Sequence, residues 1–310
     1  MRCLVVLLLV LGWGYARILP YEMRPDANAT LPKITLLDQK RLVFDPIDGI
    51  PFTEISDLAW QPQERTLYLI SDRGRLYRFH AVFGERIGTF SPQNAFYLHK
   101  PGKRHLKRKR SDSEGLARDD RGALWVSFER KPRVTQITSA GQIVRDMPLP
   151  KPLKDIKRYR SRNKGMEALT WHPKYGLITA LEYPPKGTPK HHQTLYALSG
   201  RSWHFTIEKI PDNAISAIET MDDGNILVLE RAFDKKALSL TITLKKVYLD
   251  PRQKGWCRTE ILGQMSTDKG WALDNFEGLT RVAPHRYVMI SDDNGNFFQK
   301  TLLVYFEVKD

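Results

Sequence analysis

The feature that most limits how this chain can fold is a segment that recurs five times along its length. Each copy starts with a short motif built around Leu or Ile, passes through a polar turn, and ends in a β-rich run that closes on an acidic residue. The central apolar residues stand about 50 to 60 positions apart, which is typical of the blades of a β-propeller. These residues are Leu58, Leu116, Leu169, Ile218 and Leu279.

Local signals within the repeats indicate antiparallel strands. Residues 119–122 and 222–225 are turn sequences rich in Asp and Gly and flanked by apolar β formers. The repeats therefore predict an all-β chain, a β-propeller of five four-stranded blades, and they leave a sixth, degenerate blade open. An open pair of β-sandwiches is the competing architecture. Residues 34–44 are expected to add an outer strand to the last blade and so close the ring.

The N-terminus has the pattern of an export signal. Arg2 is followed by an apolar run over residues 3–11 and by small residues ending at Ala16. The run is shorter than the roughly 20 residues that cross a bilayer, although an uncleaved anchor is the alternative. We expect a signal peptide at residues 1–16, an extension at 17–32 and the propeller at 33–310. The mature chain would be periplasmic or secreted, without a transmembrane segment.

The basic charge of the chain indicates anionic partners. The formal net charge is +14, which favours phosphorylated small molecules or other anions as ligands. Basic residues concentrate in segments 103–110 and 151–164, which are equally typical of solvated loops. The expected export argues against a specific nucleic-acid partner, and the oligomeric state is left open.

The acidic residues recur at positions that the repeat places at one end of each blade. In the second repeat, Glu114 lies at the start of one strand and Glu129 at the end of the returning antiparallel strand, so both lie at the same end of the blade. Converging carboxylates repel one another unless a cation compensates them. Calcium prefers six to eight oxygen ligands, whereas ion pairs with nearby Arg and Lys are the alternative. In the fourth repeat Ser216 replaces the first acid.

Both basic segments lead into a first strand, so they are expected on the same face as the acids. A metal ion can neutralise phosphate oxygens, and Arg or Lys can bind the remaining oxygens. The predicted metal ligands are Asp57, Asp72, Glu129, Glu182, Glu230, Asp292 and Asp293. The predicted catalytic residues are Glu114, Glu167 and Glu277, and the predicted phosphate-binding residues are Arg73, Arg130, Lys164 and Arg231.

Several linked motifs carry a family resemblance. They lie at residues 71–74 (Ser-Asp-Arg-Gly), 112–116 (Asp-Ser-Glu-Gly-Leu), 163–169 (Asn-Lys-Gly-Met-Glu-Ala-Leu), 230–233 (Glu-Arg-Ala-Phe), 275–279 (Asn-Phe-Glu-Gly-Leu) and 291–294 (Ser-Asp-Asp-Asn). With these motifs the chain resembles the phytase-like domain family, described as "esterase-like activity of phytase", of exported bacterial proteins. The resemblance implies a β-propeller and calcium-dependent attack of bound water on phosphomonoesters. Ser216 departs from the repeated pattern.

Motifs of other hydrolases are missing from the sequence. It contains no Gly-x-Ser-x-Gly elbow, no P-loop and no His-Glu-x-x-His. Three hypotheses remain. The first is a calcium-assisted phosphoesterase, and the second is a non-catalytic propeller that binds a polyanion or a protein through its basic rim, the segments 103–110 and 151–164. The third is a metal-dependent lactonase-like or esterase propeller. The basic rim favours the first two.

Overall fold

The computed structural model describes residues 16–26, 28–107, 110–161, 163–250 and 255–309. The predicted signal peptide lies outside the described residues, except for Ala16. Nearly all the described secondary structure is β-strand. The exceptions are a single turn of helix, α1 (Lys151–Lys154), and two 3₁₀ turns at Ile156–Arg158 and Thr267–Lys269. Among the described residues, no helix has the length and apolar character that crossing a membrane requires.

Twenty of the strands form five four-stranded antiparallel blades, as the repeat predicts. Two strands precede the first blade: β1 (Ala16–Pro20) and β2 (Ile34–Phe44). Blade 1 contains β3 (Ile55–Gln61), β4 (Thr66–Ser71), β5 (Arg75–Phe83) and β6 (Ile87–Tyr97). Blade 2 contains β7 (Ser113–Arg118), β8 (Leu124–Phe128), β9 (Arg133–Ile137) and β10 (Ile143–Met147). Blade 3 contains β11 (Met166–His172), β12 (Gly176–Leu181), β13 (His192–Ala197) and β14 (Ser202–Thr206). Blade 4 contains β15 (Ala214–Thr220), β16 (Ile226–Asp234), β17 (Ser239–Val247) and β18 (Thr259–Ser266).

Blade 5 joins the two ends of the chain. It contains β19 (Asn275–Ala283), β20 (Arg286–Asp292) and β21 (Thr301–Val308), and β2 completes it by pairing antiparallel with β21. The prediction that residues 34–44 close the ring is therefore confirmed. The short strand β1 adds a fifth strand outside β2. The described chain contains no sixth blade.

The blades stack through their apolar faces. The first strands, β3, β7, β11, β15 and β19, lie side by side around the central axis, and β19 returns next to β3. Five hydrophobic clusters each fill the space between two neighbouring blades. Strands such as β4 and β8 are buried at every position, because neighbouring blades cover both of their faces. This explains why their sequences are continuously apolar instead of alternating.

A β-bulge at the start of each first strand sets the direction of the acidic side chains. The pairing register shifts at Ser56, at Glu114 with Gly115, at Glu167, at Ser216 and at Glu277. A bulge bends its strand and changes the direction of a side chain. The three predicted catalytic residues are therefore the bulge residues of blades 2, 3 and 5.

Asp57 follows the bulge of blade 1 and is 2% exposed. Its Oδ1 accepts hydrogen bonds from the backbone N–H of Leu58 (2.8 Å) and Leu279 (3.1 Å), and its Oδ2 accepts one from Leu116 N–H (2.7 Å). These amides belong to the first strands of blades 1, 5 and 2. Asp57 was predicted as a metal ligand, but the structure instead commits both of its oxygens to joining three blades.

We expect Asp57→Ala to lower the free energy of unfolding by about 2 to 3 kcal/mol, because three buried N–H groups would lose their acceptor. Urea unfolding with a calcium chelator present measures this, with Ser56→Ala as the neighbouring control. An unchanged midpoint for Asp57→Ala would show that the carboxylate does not hold the blades together.

Candidate functional site

The end of the propeller where the first strands begin is here called the mouth. A cavity of about 520 Å³ opens there. The bulges and the ends of the second strands direct side chains into it. The described lining includes eight carboxylates, from Asp72, Asp112, Glu114, Glu129, Glu167, Glu182, Glu277 and Asp292. It also includes three basic side chains, from Arg130, Lys164 and Arg231. All three predicted catalytic residues lie here, together with four predicted metal ligands and three predicted phosphate-binding residues.

The carboxylates form two groups that could hold a metal ion. One group is Asp112, Glu114 and Glu129, and the other is Glu129, Glu167 and Glu182. Within each group the candidate ligand atoms lie within 4.8 Å of one another. Glu129 belongs to both groups, so one carboxylate lies between two potential cation positions.

Backbone contacts fix the position of Glu129. The N–H of Gly165 donates a hydrogen bond of 3.0 Å to Glu129 Oε1. A Cβ atom at residue 165 would lie 2.8 Å from Cγ of Glu129. The close approach of this backbone to the shared carboxylate therefore requires glycine.

Crowding in the cavity raises the pKa values of its acids. Burial, followed by the charge of neighbouring carboxylates, raises the pKa of Asp72 to about 7 and that of Asp292 to about 9. Burial also raises the pKa of Glu129 to about 8, although the Gly165 N–H opposes this shift. Burial and the surrounding acids raise the pKa values of Glu114 and Glu167 well above the usual range. The cation-free cavity therefore retains protons near neutral pH.

The donor set fits a hard cation. The two groups offer only carboxylate oxygens, which calcium prefers. Nearby, Asp72 Oδ1 is buried and accepts no hydrogen bond from a described residue, although Arg73 Nε lies 3.4 Å away. Three basic groups do not balance eight carboxylates once these ionise, so a cation could replace the protons that the cavity retains.

Each basic side chain in the lining also contacts an acid. Lys164 Nζ lies 2.7 Å from Glu182 Oε1, and Arg130 Nε lies 2.8 Å from Asp112 Oδ2. Arg231 Nη2 lies 3.6 Å from Glu277 Oε1. The ion-pair alternative from the sequence therefore applies to part of the cavity, alongside the metal-type groups.

Two further predicted ligands lie outside the lining. Glu230 is fully buried within blade 4, where its Oε1 lies 2.7 Å from Lys245 Nζ. The next residue, Arg231, lines the cavity instead. Asp293 shapes the loop after β20, because its Oδ1 accepts hydrogen bonds from Glu54 N–H (2.9 Å) and Gly295 N–H (3.0 Å).

Arg73, predicted to bind phosphate, also lies outside the cavity lining. Its guanidinium is bound by Glu54, with Nε 2.9 Å from Oε1. This pair stands beside the loop after β20.

Sequence reasoning missed several polar residues of the cavity. Asp112 joins one metal-type group, and Asn275 Nδ2 donates a hydrogen bond of 2.8 Å to Glu277 Oε1. Asp112 lies two residues before Glu114, and Asn275 lies two residues before Glu277. This shared position within the noted motifs was the sequence signal that could have identified them as cavity residues. Asn163 and Asn294, which lie in the motifs at residues 163–169 and 291–294, complete the polar lining together with Gln299, which lies in none of the noted motifs.

A family model described as "Phytase-like: Esterase-like activity of phytase" matches residues 50–295. No curated protein sequence matches the chain significantly. Among solved structures, virginiamycin B lyase from Staphylococcus aureus is similar at 10% identity and a TM-score of 0.43, covering 95% of this chain and 99% of that one. A streptogramin B lyase is similar at 8% identity and a TM-score of 0.39, covering 91% and 100%. Similarity at this level does not bear on what the chain binds or converts.

Proposed function

This chain belongs to the phytase-like family, and we propose that it hydrolyses phosphate esters with the assistance of calcium at the mouth cavity. The observation that carries the proposal is the shared position of Glu129 in two three-carboxylate groups, beside three basic side chains. Carboxylate oxygens suit the metal, and the guanidinium and ammonium groups suit the phosphate.

The residues that would hold calcium are Asp112, Glu114, Glu129, Glu167 and Glu182. Bound calcium would neutralise phosphate oxygens and polarise the phosphorus. Arg130 and Lys164 can bind the remaining phosphate oxygens, and Arg130 is the more available because its side chain is 49% exposed. The phosphate of the substrate would then replace Asp112 as the anionic partner of Arg130, and Glu182 as that of Lys164.

A carboxylate in this cavity can accept the proton that an attacking water gives up. Burial raises the pKa values of Glu114, Glu167 and Glu277, so calcium would have to displace the proton from such a carboxyl group before the group could accept one from water. Asn275 and Arg231 hold Glu277, because one donates to its Oε1 and the other lies 3.6 Å from the same atom. Glu277 is the member of this set that belongs to neither three-carboxylate group, so we assign the proton-accepting role to it.

Hydrolysis of p-nitrophenyl phosphate tests the proposal. We expect turnover with calcium, loss of turnover after chelation, and a rate about 100-fold or more lower in Glu277→Gln. Asp120→Asn is the matched control, because Asp120 is exposed at the opposite end of the propeller.

Absence of turnover on a panel of phosphomonoesters and phosphodiesters, in folded protein that binds calcium, would contradict the proposal. Retention of such protein by anionic ligands would then favour a propeller that binds a polyanion through its basic loops without converting it.

A further inference from the structure

Two adjacent aromatic side chains project from the mouth into solvent. Phe297 is 94% exposed and Phe298 is 83% exposed, in the loop between β20 and β21. Leu238, at the tip of the hairpin between β16 and β17, is 76% exposed. Isolated apolar side chains on a surface need no explanation, but a nearly fully exposed aromatic pair is an apolar feature that indicates an interaction site.

Both loops flank the mouth cavity. Asn294 and Gln299, from the loop of the Phe pair, line the cavity, and so do Phe233 and Leu240, on either side of the hairpin tip. The two loops belong to blades 4 and 5, whose first strands are neighbours in the ring. The exposed apolar groups therefore share one face with the candidate active site.

Hydrogen bonds fix the loop that carries the aromatic pair. Phe298 N–H donates to Asn296 Oδ1 (3.1 Å), and Lys300 N–H donates to Asp274 Oδ2 (2.8 Å). Asp293 accepts from the backbone of Gly295 within the same loop. The backbone is thus held so that both rings point away from the core.

The same face carries exposed positive charge. In each blade, the connection from the second to the third strand and the connection to the next blade both lie at the mouth. These connections present Lys235 and Lys236 beside Leu238, and Lys103, Arg104, Lys107 and Arg110 before β7, all exposed. The turns at the opposite end carry exposed charges of both signs, with Asp120 and Asp223 beside Arg65, Arg121 and Lys174.

We propose that the mouth face docks on an anionic lipid bilayer. Phe297, Phe298 and Leu238 would enter the boundary between headgroups and acyl chains, and the Lys and Arg side chains would contact anionic headgroups. Phe and Leu side chains are typical of the membrane-facing side of segments that bind at this boundary. The apolar tips stand on separate loops around a polar cavity and form no continuous groove for a peptide. Docking in this orientation does not depend on the proposed hydrolysis.

Co-sedimentation with lipid vesicles tests the proposal. We expect the protein to bind vesicles of phosphatidylcholine with 30% phosphatidylglycerol, to bind pure phosphatidylcholine weakly, and to dissociate at high salt. The double variant Phe297→Ser/Phe298→Ser should reduce the partition coefficient at least tenfold. Val144→Ser is the matched control, because Val144 is 53% exposed on β10 and lies outside the two loops that carry Phe297, Phe298 and Leu238.

Failure to bind the anionic vesicles, or equal binding by the double serine variant, would overturn the proposal. A wild-type dimer that the double variant converts to a monomer in light scattering would also overturn it, since a second copy would then cover the aromatic pair. Hydrolysis of soluble p-nitrophenyl phosphate should be unchanged in the double variant, so a failure of docking is distinguishable from a failure of catalysis.

Discussion

Glu230→Gln should lower the free energy of unfolding by about 3 kcal/mol, whereas Glu129→Gln should raise it in calcium-free protein at pH 8. The two glutamates occupy corresponding positions, since each follows the apolar run of a second strand. Their surroundings differ, because Glu230 has a buried cationic partner and Glu129 lies among other carboxylates. The opposite signs follow from this difference.

The cost at Glu230 comes from the ammonium group that it leaves behind. Lys245 is 1% exposed and contacts Glu230 Oε1 at 2.7 Å. Breaking a buried ion pair leaves an uncompensated charge. Glu208 Oε1 remains 2.9 Å from Lys245 Nζ, which keeps the expected loss at the lower end of the usual range.

The gain at Glu129 comes from removing a charge that the folded protein disfavours. Because burial raises the pKa of Glu129 to about 8, its ionised form is costly at pH 8. A glutamine amide oxygen can still accept the Gly165 N–H. At pH 5, just above the pKa of a glutamate in the unfolded chain, only a small part of this cost has built up, so the gain should be much smaller there.

Urea unfolding in chelator at pH 5 and pH 8, followed by tryptophan fluorescence, compares the two variants, with Asp120→Asn as the control. Destabilisation by Glu129→Gln at pH 8 would show that the carboxylates of the calcium-free cavity already have compensating partners. A Glu230→Gln variant as stable as the wild type would show that the buried ion pair contributes no stability.

The repeat made the fold predictable from the sequence. A regular period with turn residues at fixed places defines the blades, and residues 34–44, which precede the first repeat, could supply the outer strand that closes the ring. The mouth also followed from the repeat, because antiparallel pairing places the first acid and the second acid of a blade at the same end. Asp112 and Asn275 were missed because each lies two residues before the bulge glutamate and so outside the repeated core of the motif.

Asp57 shows where the sequence misleads. In the repeat, Ser56 aligns with Glu114, and Asp57 aligns with Gly115. A shift of one residue turns a side chain to the other face of a strand, so Asp57 cannot take the position of Glu114. Glycine at residue 278 lets Asp57 approach β19 closely enough to accept the hydrogen bond from Leu279 N–H. A Cβ atom at residue 278 would lie 2.8 Å from Cα of Asp57.

Glu230 shows a second limit. Its partner, Lys245, lies on the next strand of the same blade, in a run of β formers that carries no sign of an ion pair. Only the pairing of β16 with β17 brings the two side chains together. The same strand then directs Arg231 into the cavity, in the blade where Ser216 replaces the first acid.

Calcium should stabilise the protein far more at pH 8 than at pH 5. The carboxyl groups of Asp72, Glu129 and Asp292 have folded-state pKa values of about 7, 8 and 9, above the value of about 4 for unfolded chains. Between these limits the folded protein binds more protons than the unfolded protein, so its stability falls as pH rises. In chelator, the melting temperature should therefore decline from pH 5 to pH 9.

Calcium bound as proposed should reverse this decline, because it would replace the protons that the cavity otherwise retains. At pH 5 it must displace them, and at pH 8 many have already left, so its affinity and its stabilising effect increase with pH. Differential scanning calorimetry at each pH, with calcium and with chelator, gives the difference in melting temperature. Groups far from the cavity cancel in that difference, and the described lining contains no histidine. An equal difference in melting temperature at pH 5 and pH 8 would show that the stabilising calcium binds outside the mouth cavity. That result would contradict the metal assistance proposed for hydrolysis.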